Sequence, residues 1–183
     1  KLANHSIKSW NQRTPIHRAS KFYGVATFVA DAALSVLRAP ERALFAAHAP
    51  LDGCRVLHLQ CHFGMDSLSL LREGAAHVTG VDLSDRAITE ARQLAIATQL
   101  QDRARFIECN VYDLEEHLPA DEKFDLVFAS YGTVCWLPDL RRWAALIRRF
   151  LRPGGKFVVL FFFFLGGGGG GGGGRGRRRR RRK

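Results

Sequence analysis

An α/β fold built on a doubly wound parallel sheet is predicted by three features of this 183-residue chain. Short apolar runs alternate with stretches of helical periodicity, the first run passes through a single-glycine turn into a helix, and the second run ends on a carboxylate. Arg55-Val56-Leu57-His58-Leu59 reads as a buried strand and Asp66 to Glu73 as a helix, with Gly64 at the turn between them. Asp66 or Ser67 is placed to cap that helix, and Gly74 to end it in the left-handed conformation. Val78-Thr79-Gly80-Val81-Asp82 is the second strand, and Ser84 to about Gln99 a helix with Ile88, Ala91, Leu94 and Ala95 on one face. A third strand starts at Arg105 and a fourth runs from Phe124 to Ser130. The next helix sets Leu140, Trp143, Ala144, Ile147, Phe150 and Leu151 against Arg141, Arg142, Arg148 and Arg149, which read as a solvated face. Pro138 suits its first turn, and Leu151 to Gly155 stops it before a fifth strand, Lys156 to Leu160.

Strand, glycine turn, helix, strand, acid is the order of a nucleotide site, with Gly64 and Asp82 eighteen positions apart. An acid at Asp82 can accept both ribose hydroxyls of an adenosine, since Ser84 is better placed to cap the helix that follows. A dinucleotide would need a second glycine so that the backbone could approach its pyrophosphate. The loop offers Gln60, Cys61, His62 and Phe63 instead, so a ligand with ribose and adenine but no phosphate suits it better. S-adenosylmethionine is one.

From about Arg55 to Val159 the chain resembles the class I S-adenosylmethionine-dependent methyltransferases, in the branch with HLQCHFG loops. Relative to the family's first motif, His58 stands for the acid and Gln60 and His62 for two glycines, while Gly64 is kept. The resemblance implies a Rossmann-like sheet and a cofactor set of His58, Gln60, Cys61, His62, Gly64, Asp82, Leu83, Asn110, Val111 and Ser130. Asn110 would accept from the adenine amine, the Val111 amide would face a ring nitrogen, and Asp113 would brace their loop. His58 would accept from the methionine ammonium, or else is a histidine satisfied inside the fold; both stay open. Ser130, Tyr131 and Trp136 are candidates for the methionine end and substrate wall, with core packing as the alternative. Residues 1–50 would form a helical cap, with a helix from Val25 to Leu37 and with Trp10, His17 and Tyr23 as lid residues or plain packing. His17, by its ordinary pKa, and Tyr131 are the catalytic candidates.

Without the tail, about 160 residues suffice for one core, as expected of a single domain, with residues 51–160 as the Rossmann-like cofactor-binding part. Four cysteines without paired metal spacing or a secreted disulfide pattern, and no signal peptide or membrane span, predict a cytoplasmic protein with no metal and no membrane partner. The small-molecule methyl acceptor is unidentified. An NAD-dependent oxidoreductase is the alternative that the missing glycines disfavour. Residues 161–183 run from phenylalanines through nine glycines to an arginine block that carries 8 of the net +11 charges, leaving +3. At face value this is a nucleic-acid arm, and a non-enzymatic RNA-binding protein is the other alternative. One nucleotide tract passing from T to G to purines would also spell it, so an artefactual or frameshifted terminus is expected. The family continues past its fifth strand, so the chain reads as truncated, with a complete cofactor half, an incomplete substrate half, and an open sheet edge that Phe161 to Phe164 make prone to association.

Overall fold

A computed structural model describes residues 2–160. The 161–183 tail, and with it the expected RNA arm, artefactual terminus and associating phenylalanines, lies outside the described residues. Three helices, α1 (Leu2–Ala19), α2 (Val25–Ala30) and α3 (Ala39–His48), precede β1 (Arg55–Leu59), α4 (Met65–Arg72), β2 (His77–Asp82), α5 (Asp85–Ala97) and β3 (Ala104–Glu108). A 3-10 turn (Val111–Glu116), β4 (Phe124–Ala129), a second short 3-10 turn (Val134–Trp136), α6 (Leu140–Phe150) and β5 (Leu151–Val159) follow.

The five strands are parallel in the order β3-β2-β1-β4-β5. Alternate side chains of one strand enter opposite cores, as a sheet covered on both faces requires. Val56, Val78, Phe106, Leu126 and Phe128 pack with Leu68 of α4 and with Ile88, Ala91 and Ala95 of α5. Leu57, Leu59, Val81, Phe124 and Val127 pack with Trp143, Leu146, Ile147 and Phe150 of α6. Strand order reverses between β1 and β4, and Leu59 is level with both Val81 and Ala129, so the carboxyl ends of three strands open one crevice.

The helix after β2 is capped as expected: Ser84 Oγ accepts from the Ala87 amide at 3.1 Å. Elsewhere the local expectations yield to tertiary partners. Neither Asp66 nor Ser67 caps α4, which starts at Met65 behind Gly64 with no side-chain cap. The helix expected from Val25 to Leu37 stops at Ala30, because Asp31 turns extended and its carboxylate takes the Ala33 amide. In α6 the buried face is Trp143, Leu146, Ile147 and Phe150, while Leu140 is 49% exposed and Ala144 is exposed. Asp139 caps that helix through the Arg142 amide, which puts Pro138 outside its first turn. Leu151 to Gly155 does not separate helix from strand either. Leu151 already pairs with Phe124, and Arg152 to Gly155 bulge out before Lys156 meets Leu126, with Gly154 left-handed at φ 76°.

Phe106 explains two glycines at once. A Cβ on Gly64 would come within 2.7 Å of its ring, and a Cβ on Gly80 equally close, so the ring fills a slot that side chains would close. Helix-to-strand packing and a φ of 78° thus demand glycine at Gly64 whatever the cavity above it holds.

Candidate functional site

A cavity of about 620 Å³ lies over the carboxyl ends of β1, β2 and β4. Its floor is the loop from Gln60 to Gly64, where Gln60 (φ 55°), His62 (φ 53°) and Gly64 (φ 78°) are all left-handed. The chain therefore keeps the path of a glycine loop with two non-glycine residues, each at a cost of about 1 kcal/mol. The loop is stitched to the neighbouring strand by Cys61 N–H donating to Val81 O (2.9 Å) and His62 N–H donating to Asp82 Oδ2 (2.8 Å). Burial pushes the Cys61 thiol well up, so it is neutral and no nucleophile.

Asp82 is 8% exposed at the end of β2. Its Oδ2 takes the His62 amide and its Oδ1 the Ser84 amide (2.9 Å). Burial raises its carboxyl above the usual range, and those amide bonds pull the other way. The Leu83 amide adds to them, and a carboxylate with about four lone-pair sites still has room for a further donor. Leu83, Asn110 and Val111 line the same end of the cavity. Asn110 caps the 3-10 turn, its Oδ1 accepting from the Tyr112 amide at 3.1 Å. Asp113 braces the loop against Arg142 of α6 at 3.7 Å.

His58 is not in the cavity wall. It is 0% exposed, its Nδ1 is 2.8 Å from Ser67 Oγ and its Nε2 3.2 Å from Ser130 Oγ, and burial drives its pKa down to about 3. Of the two readings left open by the sequence, the satisfied histidine is the one the fold adopts. His17 is likewise absent from the lining. It stacks on Tyr23 at 5.2 Å, and burial, helped by Arg13, lowers its pKa, which weakens its case as a base.

The N-terminal helix reaches the site. Asn11 of α1 donates to Asp85 (2.6 Å), Arg18 pairs with Glu90, and Trp10 meets Trp136 edge-on at 5.5 Å above the cavity. Tyr23, Ser130 and Tyr131 also line it. Among the lining residues that escaped the sequence reading, two are charged. Asp66, read there as a cap, faces the cavity and bonds the Ser130 hydroxyl, and burial pushes its carboxyl up to about 6. Arg38, far off in sequence, lays its guanidinium over the Tyr131 ring at 4.6 Å. An acid just inside a helix behind a loop is the only sequence signal for Asp66; Arg38 gave none.

Residues 56–155 match the family described as a methyltransferase domain, and the chain belongs to it. Among its relatives, the methyltransferase phqN of Penicillium fellutanum is 33% identical over 108 residues, covering 59% of this chain and 32% of that protein. The ubiquinone biosynthesis O-methyltransferase of Xylella fastidiosa (strain 9a5c) is 36% identical over 112 residues, covering 60% and 42%. Two solved structures superpose closely. An S-adenosylmethionine-dependent methyltransferase from Mesorhizobium loti is 30% identical with a TM-score of 0.55, covering 67% of this chain and 53% of that one. The glycopeptide N-methyltransferase MtfA, complexed with sinefungin, is 25% identical with a TM-score of 0.56, covering 65% and 51%. The chain thus spans about a third to a half of these proteins, and its sheet is that of the class I methyltransferases. Among the described residues no helix is long and apolar enough to cross a membrane, and no cluster of His, Cys, Asp and Glu could hold a metal ion.

Proposed function

We propose that this member of the methyltransferase-domain family transfers a methyl group from S-adenosylmethionine to a small molecule. The observation that carries the reading is Asp82, buried at the end of β2 with lone pairs to spare, beside Asn110 and Val111 in one cavity of about 620 Å³. That volume is in the range of small-ligand sites. The donor set fits as well: a carboxylate for vicinal hydroxyls, an amide edge for adenine, and a floor whose side chains leave no cradle for a diphosphate.

In this reading Asp82 holds the ribose, Leu83, Asn110 and Val111 flank the adenine, and Gln60, Ser130 and Tyr131 stand at the amino-acid end. The bound cofactor supplies a methyl group on a positively charged sulfur, open to in-line displacement. The chain's part is to hold the acceptor in line and keep water out, which is where most of the rate of such a reaction arises. Residues 1–50 act as the lid through Trp10 and Tyr23, residues 51–160 as the cofactor-binding core, and Trp136 closes the wall. Tyr131 remains the catalytic candidate at the wall, ahead of His17. Four free cysteines suit a reducing cytoplasm.

Calorimetric titration of the full chain with S-adenosylhomocysteine and NAD tests this. The former should bind and the latter should not; tighter NAD binding would overturn the reading. Asp82→Ala should weaken S-adenosylhomocysteine by about 1–3 kcal/mol through loss of charge-assisted bonds. Unchanged affinity in a variant that still melts cooperatively would remove Asp82 from the site.

A further inference from the structure

The cavity is polar at its floor and apolar at its entrance. Asp82, Asn110 and Ser130 stand at the floor, whereas Phe22, Tyr23 and Val36 of the N-terminal segment face Trp136, Leu137 and Pro138 of the loop after β4. Phe22 lines the cavity although it is 86% exposed, and Trp136 does so at 40%, so the two rings frame an open mouth. Apolar side chains gathered at the rim of a cavity mark the path of a ligand.

Hydrogen bonding sharpens the contrast. The Phe22 amide donates to Ser20 Oγ (3.1 Å), the Tyr23 amide to Ser20 O (3.2 Å) and the Val36 amide to Ser69 Oγ (3.0 Å). Across the entrance the Trp136 and Leu137 amides turn back onto Thr133 O and Val134 O, both at 3.1 Å, and Pro138 has no amide to give. The Tyr23 hydroxyl is taken up by His17 Nδ1 at 3.4 Å. The backbone of this wall therefore offers a ligand no donor, and what it presents is ring and hydrocarbon. A polar ligand would give up water there without gaining a bond, whereas a flat apolar one gains contact with several rings.

The two sides of the entrance are also tied to each other. Trp10 of α1 meets Trp136 edge-on, and the Arg13 guanidinium lies 5.5 Å from the centre of the Trp10 ring and 5.7 Å from that of Trp136. These rings are thus held before a ligand arrives, which lowers the entropy that binding costs.

We propose that the methyl acceptor is an apolar, ring-bearing molecule whose polar part is confined to the atom that takes the methyl group and its immediate neighbours. The proposal deepens the reading that the cavity binds S-adenosylmethionine and rests on it. With the cofactor's adenosine on Asp82 and Asn110, the rings of the acceptor take the entrance and its polar end points toward the floor.

The test uses N-phenyl-1-naphthylamine, an uncharged ring-bearing probe whose own emission rises in apolar surroundings, titrated into the full chain saturated with S-adenosylhomocysteine. It should bind saturably, and Phe22→Ser and Trp136→Ser should each weaken it about fivefold or more, with S-adenosylhomocysteine affinity kept within about twofold. Both positions are exposed, so neither substitution opens the core. Ile96, 65% exposed on α5 and outside the cavity lining, supplies the control, and Ile96→Ser should change neither affinity. No binding of the probe, no loss in the wall variants, an equal loss in Ile96→Ser, or displacement of the probe by S-adenosylhomocysteine would overturn the acceptor class while leaving the cofactor reading intact. If S-adenosylhomocysteine did not bind the unaltered chain, the cofactor reading itself would fall and the proposal with it.

Discussion

The turns after β1 and β2 stand side by side at the cavity floor and treat their polar groups in opposite ways. After β2, Asp82 takes two backbone amides, and Ser84 caps α5 and meets Asn11 of the N-terminal helix. After β1, two of the residues are left-handed without being glycine, and two side-chain atoms are buried without partners. The first turn pairs its polar groups within the fold; the second leaves two of them unpaired. Local strain and unpaired acceptors mark binding surfaces because folding alone would select against them.

The largest expected effect is at the boundary of the two turns. Gly64→Val forces a branched side chain into a left-handed residue and against Phe106, and should cost about 3–4 kcal/mol of stability. Denaturant unfolding measures it; a loss under about 1 kcal/mol would mean that the ring can move aside.

Next in size is a pH effect behind the strained turn. His58 is held neutral with a pKa of about 3, against 6.5 in the unfolded chain, so below pH 6.5 the unfolded state takes a proton that the folded state refuses. Its contribution is complete above 6.5 and is lost as pH falls toward 3, at about 1.4 kcal/mol per pH unit. His62 adds a slope of the same sign. His58→Gln should therefore flatten the decline of stability between about pH 6 and 4, and an unchanged slope would show that His58 is not the group responsible.

The smallest effects set the two turns directly against each other. Ser84→Ala removes a cap and should cost about 1 kcal/mol of stability with little change in S-adenosylhomocysteine affinity. Gln60→Gly relieves a left-handed residue and an orphaned oxygen, and should gain about 0.5–1 kcal/mol of stability. Thermal melts paired with calorimetry read both. If Gln60→Gly destabilised the fold as much as Ser84→Ala, the contrast between the two turns would not hold.

Much of this architecture was legible in the residues. All five strands, the cap at Ser84 and the buried face of α5 rest on spacings of a few residues, and hydrophobic periodicity reports such spacings directly. The acid ending β2 was legible for the same reason, being fixed by its strand. The misread features share a different cause. Ser67, offered as a cap, is instead the partner of His58 nine positions away, and Ser130 joins them from 72 residues away. Asp66 faces the cavity only because β4 and the Arg38 segment are brought to it, and Gln60 aims its oxygen only because Thr133 accepts its nitrogen from 73 positions on. By itself the sequence determined the five strands, the helices that follow β1, β2 and β4, and that a carboxylate would end the second strand. Which polar side chains are satisfied and which are left unpaired was decided by the tertiary structure alone, because a hydrogen bond depends on where a partner lies in space and local pattern carries no record of that.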